Sequence, residues 1–252
     1  MNIDITKLHG FENHPYKVLD NEEMEQLTES IMQYGVIAPI VVRPKENTAD
    51  EYEIISGHRR VMACRKAGIE EVPALVVSLD RDAAAIALVD SNLHREHVLP
   101  SEKAFAYKMK AEALAHQGKR QKITSDQLGP KLSVEQVSKE DGASQVKRYI
   151  RLTHLVPELL QLVDDGRIAF TPAVELSYLT EEEQYALLEE IERNDATPSL
   201  SQACRLKRMS RDGSLPPSMG FSRQEYWSGV PLPSPHHRQV DLKPTHCSIR
   251  NF

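Results

Sequence analysis

The first 80 residues combine one amphipathic stretch with three short apolar runs. Met24, Leu27 and Ile31 recur at helical spacing and predict a helix over 22–33 that stops at Gly35. The β-branched runs at 37–44, 51–56 and 72–79 predict strands. Gly57 separates the second run from a helical stretch that ends at Gly68. A strand followed by glycine and then a helix predicts a turn that exposes backbone N–H groups at the helix start.

Beyond residue 80 the apolar positions follow helical spacing, and glycine and proline interrupt them at short intervals. This pattern predicts a small all-α unit built from short helices. Ser133 followed by Gln136 has the spacing of a capping box and predicts a helix over 133–141. Gly142 predicts a tight turn, and residues 144–155 predict a second helix with Val146 and Ile150 facing inward. The layout is typical of a helix-turn-helix at 133–155.

The outer face of the second helix carries the residue types that contact DNA. Arg148 and Gln145 have the hydrogen-bonding geometry to contact guanine and adenine. Lys147 and Arg151 suit phosphate groups, and Ser144 lies at the helix start, where contacts to DNA are expected. The alternative is an ordinary helical hairpin with a charged outer face.

Charge supports the DNA interpretation locally. The whole chain has a formal net charge of −6. The window 119–151 contains eight basic and four acidic residues, a local net charge of +4. A basic island in an acidic chain is typical of a phosphate-binding surface, although a solvated helical face has the same composition.

The chain contains neither a long apolar run nor a visible secretory signal, and its three cysteines lack metal-site spacing. We therefore expect a cytoplasmic protein without a membrane association. Six of the 15 prolines fall in 216–252, without apolar periodicity, so residues 213–252 are predicted to be disordered. Part of this tail, 218–235, resembles translated mammalian interspersed-repeat sequence, which suggests a non-native extension.

Several motifs together resemble the N-terminal domain of ParB partition proteins. Gly57-His58-Arg59-Arg60 matches the family's GxRR turn, and the segment 90–96 (DSNLHRE) is similar to its ENxQR-like motif. The segment 35–40 (GVIAPI) is similar to the first nucleotide motif, and His14-Pro15 matches the early segment. The resemblance covers residues 1 to about 210 and is strongest to proteins carried on bacterial plasmids and integrative elements.

The resemblance implies an α+β chain: a small α/β, sulfiredoxin-like domain over 1–98 and a helical DNA-binding domain over 99–212. It implies CTP with Mg²⁺ as the cofactor and Asn92 as a metal-proximal residue, with Arg95 near the closing interface of a dimeric clamp. It also implies a palindromic, centromere-like DNA site, a ParA-type ATPase partner and a nucleoid-associated homodimer, weakened here because the usual C-terminal dimerisation domain has no counterpart. The implied nucleotide-binding residues are Gly35, Ile37, Pro39, Gly57, His58, Arg59, Arg60, Asn92 and Arg95.

Three departures weaken the metal chemistry. His58 stands where the family has an acidic residue, Ser91 where it has glutamate, and Ala38 where it has glutamine. Mg²⁺ prefers oxygen ligands, and this chain offers fewer of them. CTP hydrolysis is therefore expected to be weak at most.

Two other classes of function stay open. One is a plain helix-turn-helix transcriptional regulator whose N-terminal domain binds no nucleotide, with Arg59 and Arg60 paired to the acidic helix. The other is an enzyme. A sulfiredoxin-like activity would need a reactive cysteine in the glycine turn, whereas Cys64 sits at an apolar position and is predicted to be core. A nuclease would need clustered carboxylates, for which Asp80 and Asp82 are candidates, although a helix start explains them equally well.

Overall fold

A computed structural model describes residues 1–93, 95, 97–122, 137 and 141–214, with side chains of the long helix described to residue 117. The N-terminal unit is a five-stranded mixed sheet in the order β1-β5-β3-β4-β2. The β3–β5 and β2–β4 pairs are parallel, and the β1–β5 and β3–β4 pairs are antiparallel. Its strands are β1 (Asn2–Asp4), β2 (Leu8–Gly10), β3 (Ile40–Pro44), β4 (Tyr52–Ser56) and β5 (Glu71–Val76).

Nine α-helices and one short 3₁₀ helix (Ile5–Lys7) are seen in the described residues, and the α-helices divide between the two halves of the chain. The N-terminal part contains α1 (Glu22–Tyr34), α2 (His58–Lys66) and α3 (Arg81–Leu93). The helical part contains α4 (Pro100–Lys122), α5 (Ala143–Leu152), α6 (Pro157–Asp164), α7 (Phe170–Leu176), α8 (Glu181–Asn194) and α9 (Leu200–Arg211). The predicted α+β class is therefore confirmed for the described residues.

The predicted helix bounded by Gly35 is confirmed. Met24 and Ile31 are buried, and Gly35 adopts φ +72° while its N–H donates to the Ile31 carbonyl at 2.8 Å. The first β-branched run was predicted to be a strand from 37, but β3 begins only at Ile40. Residue 37 is 84% exposed, and the two carbonyls that follow it bind a side chain rather than a neighbouring strand.

The N-terminal unit and the helical part each have a hydrophobic core, and a smaller core lies where the two parts meet. The sheet packs on α1 and α2 through Met24, Ile40, Val42 and Val61, all at most 2% exposed. The helical core is built from residues of α4 to α9, including Leu159, Leu176 and Leu187. Between them α3 packs along α4, and the loop residues Phe11 and Tyr16 join that packing. This junction brings the 11–17 loop next to both units.

The long helix α4 runs to Lys122, and the structure resumes, apart from Val137, at Asp141. The predicted first helix of the helix-turn-helix, 133–141, thus lies outside the described residues except for those two positions. Val137 is buried with Tyr107 and Val146, and Asp141 accepts a hydrogen bond from the Tyr107 hydroxyl at 2.5 Å. The tail predicted to be disordered, 213–252, lies outside the described residues from 215 onward. In the described part, no helix combines the length and apolar character needed to cross a bilayer.

Candidate functional site

The turn between β4 and α2 requires a glycine. Gly57 has φ +104°, and a Cβ at this position would lie 2.7 Å from Cγ2 of Ile40. No side chain caps the start of α2, so the first backbone N–H groups of this helix have no capping acceptor. A helix start of this kind favours an anion because the N–H groups and the helix dipole act together.

Both arginines after Gly57 have partners within the chain. Arg59 forms an exposed ion pair with Glu23 of α1 at 3.0 Å, as one of the open alternatives predicted. Arg60 donates to the backbone carbonyls of Ala38 and Pro39 at 2.5 and 2.6 Å. Partial burial lowers the pKa of Arg60. The Arg60 contacts bring the segment 35–40, with Gly35, Ile37 and Pro39, against the start of α2.

A second histidine joins His58 at the start of α2. The rings of His14 and His58 lie 3.9 Å apart between centroids, tilted by 48°. Nδ1 of His14 lies 2.7 Å from the backbone carbonyl of Tyr16, while Nε2 of each histidine is buried without a hydrogen-bond partner. Burial is the main cause that lowers the pKa of both rings, to about 3 for His58.

The end of α3 supplies the third segment of the site. Arg95 is exposed, and its guanidinium lies 5.7 Å from the centroid of the Tyr16 ring. Its positive charge also contributes to lowering the pKa of His14 and of His58. The structure therefore brings together three parts of the chain that are far apart in the sequence: segment 14–16, segment 57–60, and the pair Asn92 and Arg95. We call these three parts the loop cluster.

Asn92, the residue predicted to lie near a metal, is turned onto its own helix. It is buried, and its side-chain nitrogen donates to the Leu88 carbonyl at 2.7 Å and contacts the Ser91 hydroxyl at 3.1 Å. The described residues contain no group of three or more His, Cys, Asp or Glu that could hold a metal ion. The cluster thus fits a polyanion, with open N–H groups and Arg95, better than it fits a bare Mg²⁺ ion.

The loop cluster is tied to the helical part of the chain through the residue after Tyr16. The backbone N–H of Lys17 donates to Oε1 of Glu102 on α4 at 2.8 Å. The ammonium group of Lys17 lies 3.5 Å from Oδ2 of Asp164, whose side chain is only 2% exposed. Asp164 also accepts from the N–H and the hydroxyl of Ser101 at 3.0 and 2.6 Å. One buried carboxylate thus joins α6, the start of α4 and the 14–17 loop.

The second helix of the helix-turn-helix, predicted over 144–155, is present as α5 but ends three residues earlier, at Leu152. Val146 and Leu152 are fully buried, while Ser144 and Lys147 are exposed. Three basic residues and no acidic one lie between 142 and 155. Such a face is suited to a phosphate backbone.

Two of the candidate DNA contacts are also anchored within the chain. Arg148 donates to the Thr171 hydroxyl at 2.9 Å and lies over the Phe170 ring at 5.0 Å. Arg151 donates to the Ser177 hydroxyl and carbonyl at 3.1 and 2.6 Å, and stacks on Tyr178 at 4.1 Å. These contacts could not be predicted from the sequence, because the partners Thr171 and Ser177 lie 23 and 26 residues further along the chain. Arg151 thus also braces α5 against α7.

The residues considered for enzymatic chemistry have structural explanations. Cys64 is fully buried in the sheet core, as predicted, and burial raises the pKa of its thiol, which opposes a reactive thiolate. Asp80 accepts from the Ala83 N–H at 2.8 Å and so caps α3. Asp82 is largely buried and lies 3.3 Å from His116 of α4.

Comparison with known proteins finds a family that matches the N-terminal unit and relatives that match most of the chain. Residues 1–93 match the sequence profile of the ParB N-terminal domain family. The chain is 34% identical over 196 residues to a nucleoid occlusion protein of Listeria innocua, a match covering 77% of this chain and 63% of that protein. It is 33% identical over 192 residues to the chromosome-partitioning protein Spo0J of Thermus thermophilus, covering 76% and 64%.

A search of solved structures also finds ParB proteins, at low TM-scores. A C-terminally truncated ParB of Caulobacter crescentus, crystallised with CTP-γ-S, is 27% identical with a TM-score of 0.36, covering 76% of this chain and 97% of that one. Residues 1–93 therefore belong to the ParB N-terminal domain family, and the chain is a relative of partition and nucleoid occlusion proteins. The chain spans just under two thirds of the length of these curated relatives.

Proposed function

We propose that this chain is a ParB-type partition protein that binds a palindromic DNA site and takes CTP in its loop cluster. The observation that carries the proposal is the junction itself. A helix start without a capping side chain and an exposed Arg95 meet beside Lys17, which connects them directly to the helices that hold α5. An anion bound at the cluster would therefore lie one residue away from the link between the two units.

In this function α5 enters the major groove, with Ser144 and Gln145 near its start. Lys147 is exposed and suits a phosphate contact, while Arg148 is held by Thr171 in a fixed orientation. Arg151 can contact phosphate only with the part of its guanidinium that Ser177 does not occupy. The predicted helix over 133–141 would cross the DNA backbone.

The nucleotide proposal assigns roles to the chain's own groups. The N–H groups after Gly57 and the arginines Arg59 and Arg95 would bind the triphosphate, and the segment 35–40, held by Arg60, would border the ligand. CTP supplies the polyphosphate charge, and Mg²⁺ would arrive with it, near Asn92 after rotation of that amide. Gly35, Ile37 and Pro39 line the approach, and His58 and Arg60 hold the turn.

Partition also requires further partners, which we propose on the resemblance of the motifs. They are a second copy of the chain, closing with it into a clamp on DNA, and a ParA-type ATPase. Such a protein would act on the nucleoid in the cytoplasm.

A second candidate function is a helix-turn-helix regulator with a nucleotide-free N-terminal unit. One observation favours it: Arg59 is paired with Glu23, and Arg60 is committed to two backbone carbonyls. If both arginines only hold the fold together, the unit serves as a scaffold.

DNA binding tests the part shared by both candidates. Fluorescence anisotropy with a palindromic duplex from the native locus should show binding that exceeds a scrambled duplex by at least about 10³-fold. Arg148→Ala should weaken specific binding by about 5- to 100-fold. The matched control is Arg167→Ala, which removes an exposed arginine paired with Asp195 in the same unit and should change little. Equal binding of both duplexes would contradict either candidate.

A further inference from the structure

The stacked pair His14–His58 lacks hydrogen-bond partners on one side of each ring. Each ring has a buried Nε2 atom without a partner. Buried polar atoms without hydrogen bonds are rare in folded proteins, because each one loses its contacts with water and gains none. Two such atoms within one stacked pair, at the start of an uncapped helix, indicate a position that a ligand completes.

The tautomer of His14 determines which ligand groups can bind there. Its Nδ1 lies 2.7 Å from the Tyr16 carbonyl, which can only accept, so Nδ1 carries the proton. In the neutral ring Nε2 then presents a lone pair, which repels a phosphate oxygen. Nε2 donates a hydrogen bond to phosphate only when His14 is an imidazolium, with a proton on both nitrogens.

The charges around the pair keep it neutral without a ligand. The positive charge of Arg95, which lies over the Tyr16 ring, helps to lower the pKa of both histidines, while Glu102 of α4 acts in the opposite direction on His14. Tyr16, beside the pair, lies in the field of Arg95, Glu102, Tyr107 and Asp90, and burial keeps its hydroxyl protonated. Burial disfavours charge on both rings, and this cost falls once a polyanion lies against Nε2.

We propose that the His14–His58 pair takes up a proton when a polyphosphate binds, so that nucleotide binding to this chain is linked to pH. This inference rests on the proposed CTP function and makes His14 a ligand-binding residue. The sign follows from linkage: the bound state holds more protons than the free state, so affinity rises as pH falls. With one full proton taken up, affinity changes by about tenfold per pH unit.

The test is isothermal titration of the full chain with Mg-CTP at one pH near neutrality, in two buffers of different ionisation enthalpy. The difference in observed heat gives the number of protons exchanged. We expect uptake of about half to one proton for the wild-type chain, reduced to near zero in both His14→Gln and His58→Gln. The terminal phosphate of CTP also titrates, so the difference between wild type and variant is the measured quantity.

His116→Gln is the matched control, because His116 lies on α4 in contact with Asp82 and is not part of the loop cluster. It should keep the wild-type proton uptake. CTP binding by the wild-type chain without proton uptake overturns the inference, and so does uptake that persists in both pair variants. Absence of CTP binding at any pH instead refutes the proposed nucleotide function. Two pair variants are used, so the comparison with wild type is still available if one of them fails to fold.

Discussion

The loop cluster and helix α5 place their candidate chemistry in opposite ways. In the loop cluster, three segments separated by more than 30 residues meet, and their chemistry depends on burial: two partnerless Nε2 atoms, a glycine pressed on Ile40 and an amide turned inward. In α5 all five candidate DNA-contacting residues lie within one ten-residue helix, and their side chains are exposed or half-exposed. The first site is made by tertiary packing, whereas the second is made by one amphipathic helix. Mutations should therefore affect stability and binding together in the cluster, and separately on α5.

The largest expected effect is that of Gly57→Ala. Its Cβ would meet Ile40 at 2.7 Å on a backbone with φ +104°, so we expect a loss of about 2–4 kcal/mol in the free energy of unfolding. Urea denaturation measures it. Gly10→Ala is the matched control, because no atom lies within 4 Å of its Cβ and its φ is not positive. A Gly57→Ala protein as stable as Gly10→Ala would show that this turn is not tightly packed.

Asp164→Ala tests the link between the two regions. Its buried carboxylate accepts from Ser101 twice and faces Lys17, so the variant leaves donors unsatisfied at the start of α4. We expect a loss of about 2 kcal/mol in unfolding free energy. The neighbouring Asp165→Ala removes an exposed carboxylate bound to Gln161 and should cost less than about 0.5 kcal/mol. Similar losses in the two variants would exclude a special role for Asp164.

The buried histidines should make the protein sensitive to acid. Because the pKa of His58 is lowered to about 3 in the fold, the unfolded chain binds a proton below pH 6.5 while the folded chain does not. Stability is therefore fully present above pH 6.5 and falls as the pH drops toward 3, by at most about 1.4 kcal/mol per pH unit for this group. Denaturant titrations at pH 7, 6 and 5 measure how the free energy of unfolding falls with pH. This fall should be smaller in His58→Gln than in wild type or His116→Gln. An equal fall in His58→Gln would mean that His58 is not neutral in the fold.

On α5 stability and binding should separate. Arg151→Ala removes contacts to Ser177 and Tyr178 and should lower the free energy of unfolding by about 1–2 kcal/mol. Lys147→Ala should keep the free energy of unfolding within about 0.5 kcal/mol of wild type. It should reduce the salt dependence of DNA binding by the amount expected for the loss of about one phosphate contact. Thermal melts and anisotropy at several salt concentrations measure the two effects. If Lys147→Ala lost stability and Arg151→Ala did not, Lys147 rather than Arg151 would hold α5 in place.

The smallest effect on stability is expected for Glu23→Gln. The ion pair with Arg59 is exposed, so its loss should change stability by less than about 1 kcal/mol. Release of Arg59 should nevertheless tighten CTP binding by roughly two- to fivefold. Glu22→Gln makes the same charge change one residue earlier in α1 and serves as the control. Equal CTP affinity in both variants would place Arg59 outside the nucleotide site.

The sequence predicted best what is local. The helix ending at Gly35, the burial of Cys64 and the inward face of α5 follow from spacing and composition, and the structure confirms them. The strands β1 and β2 were not predicted, because three residues carry too little periodicity. In the sequence, His14 was noted only as part of the His14-Pro15 motif and was not predicted to be a site residue. Its stacking on His58 is a contact across 44 residues, and the same holds for Asp164 with Ser101 over 63. Partners at such distances come from packing rather than from local pattern.

The most direct test of the account is Mg-CTP binding by the full chain, measured by calorimetry with and without a palindromic duplex. We expect CTP binding that the duplex strengthens and that Arg59→Ala or Gly57→Ala weakens. The contradicting result is intact, Arg148-dependent DNA binding with no CTP binding under either condition. That outcome would leave the loop cluster as a scaffold and the chain as a simple helix-turn-helix regulator.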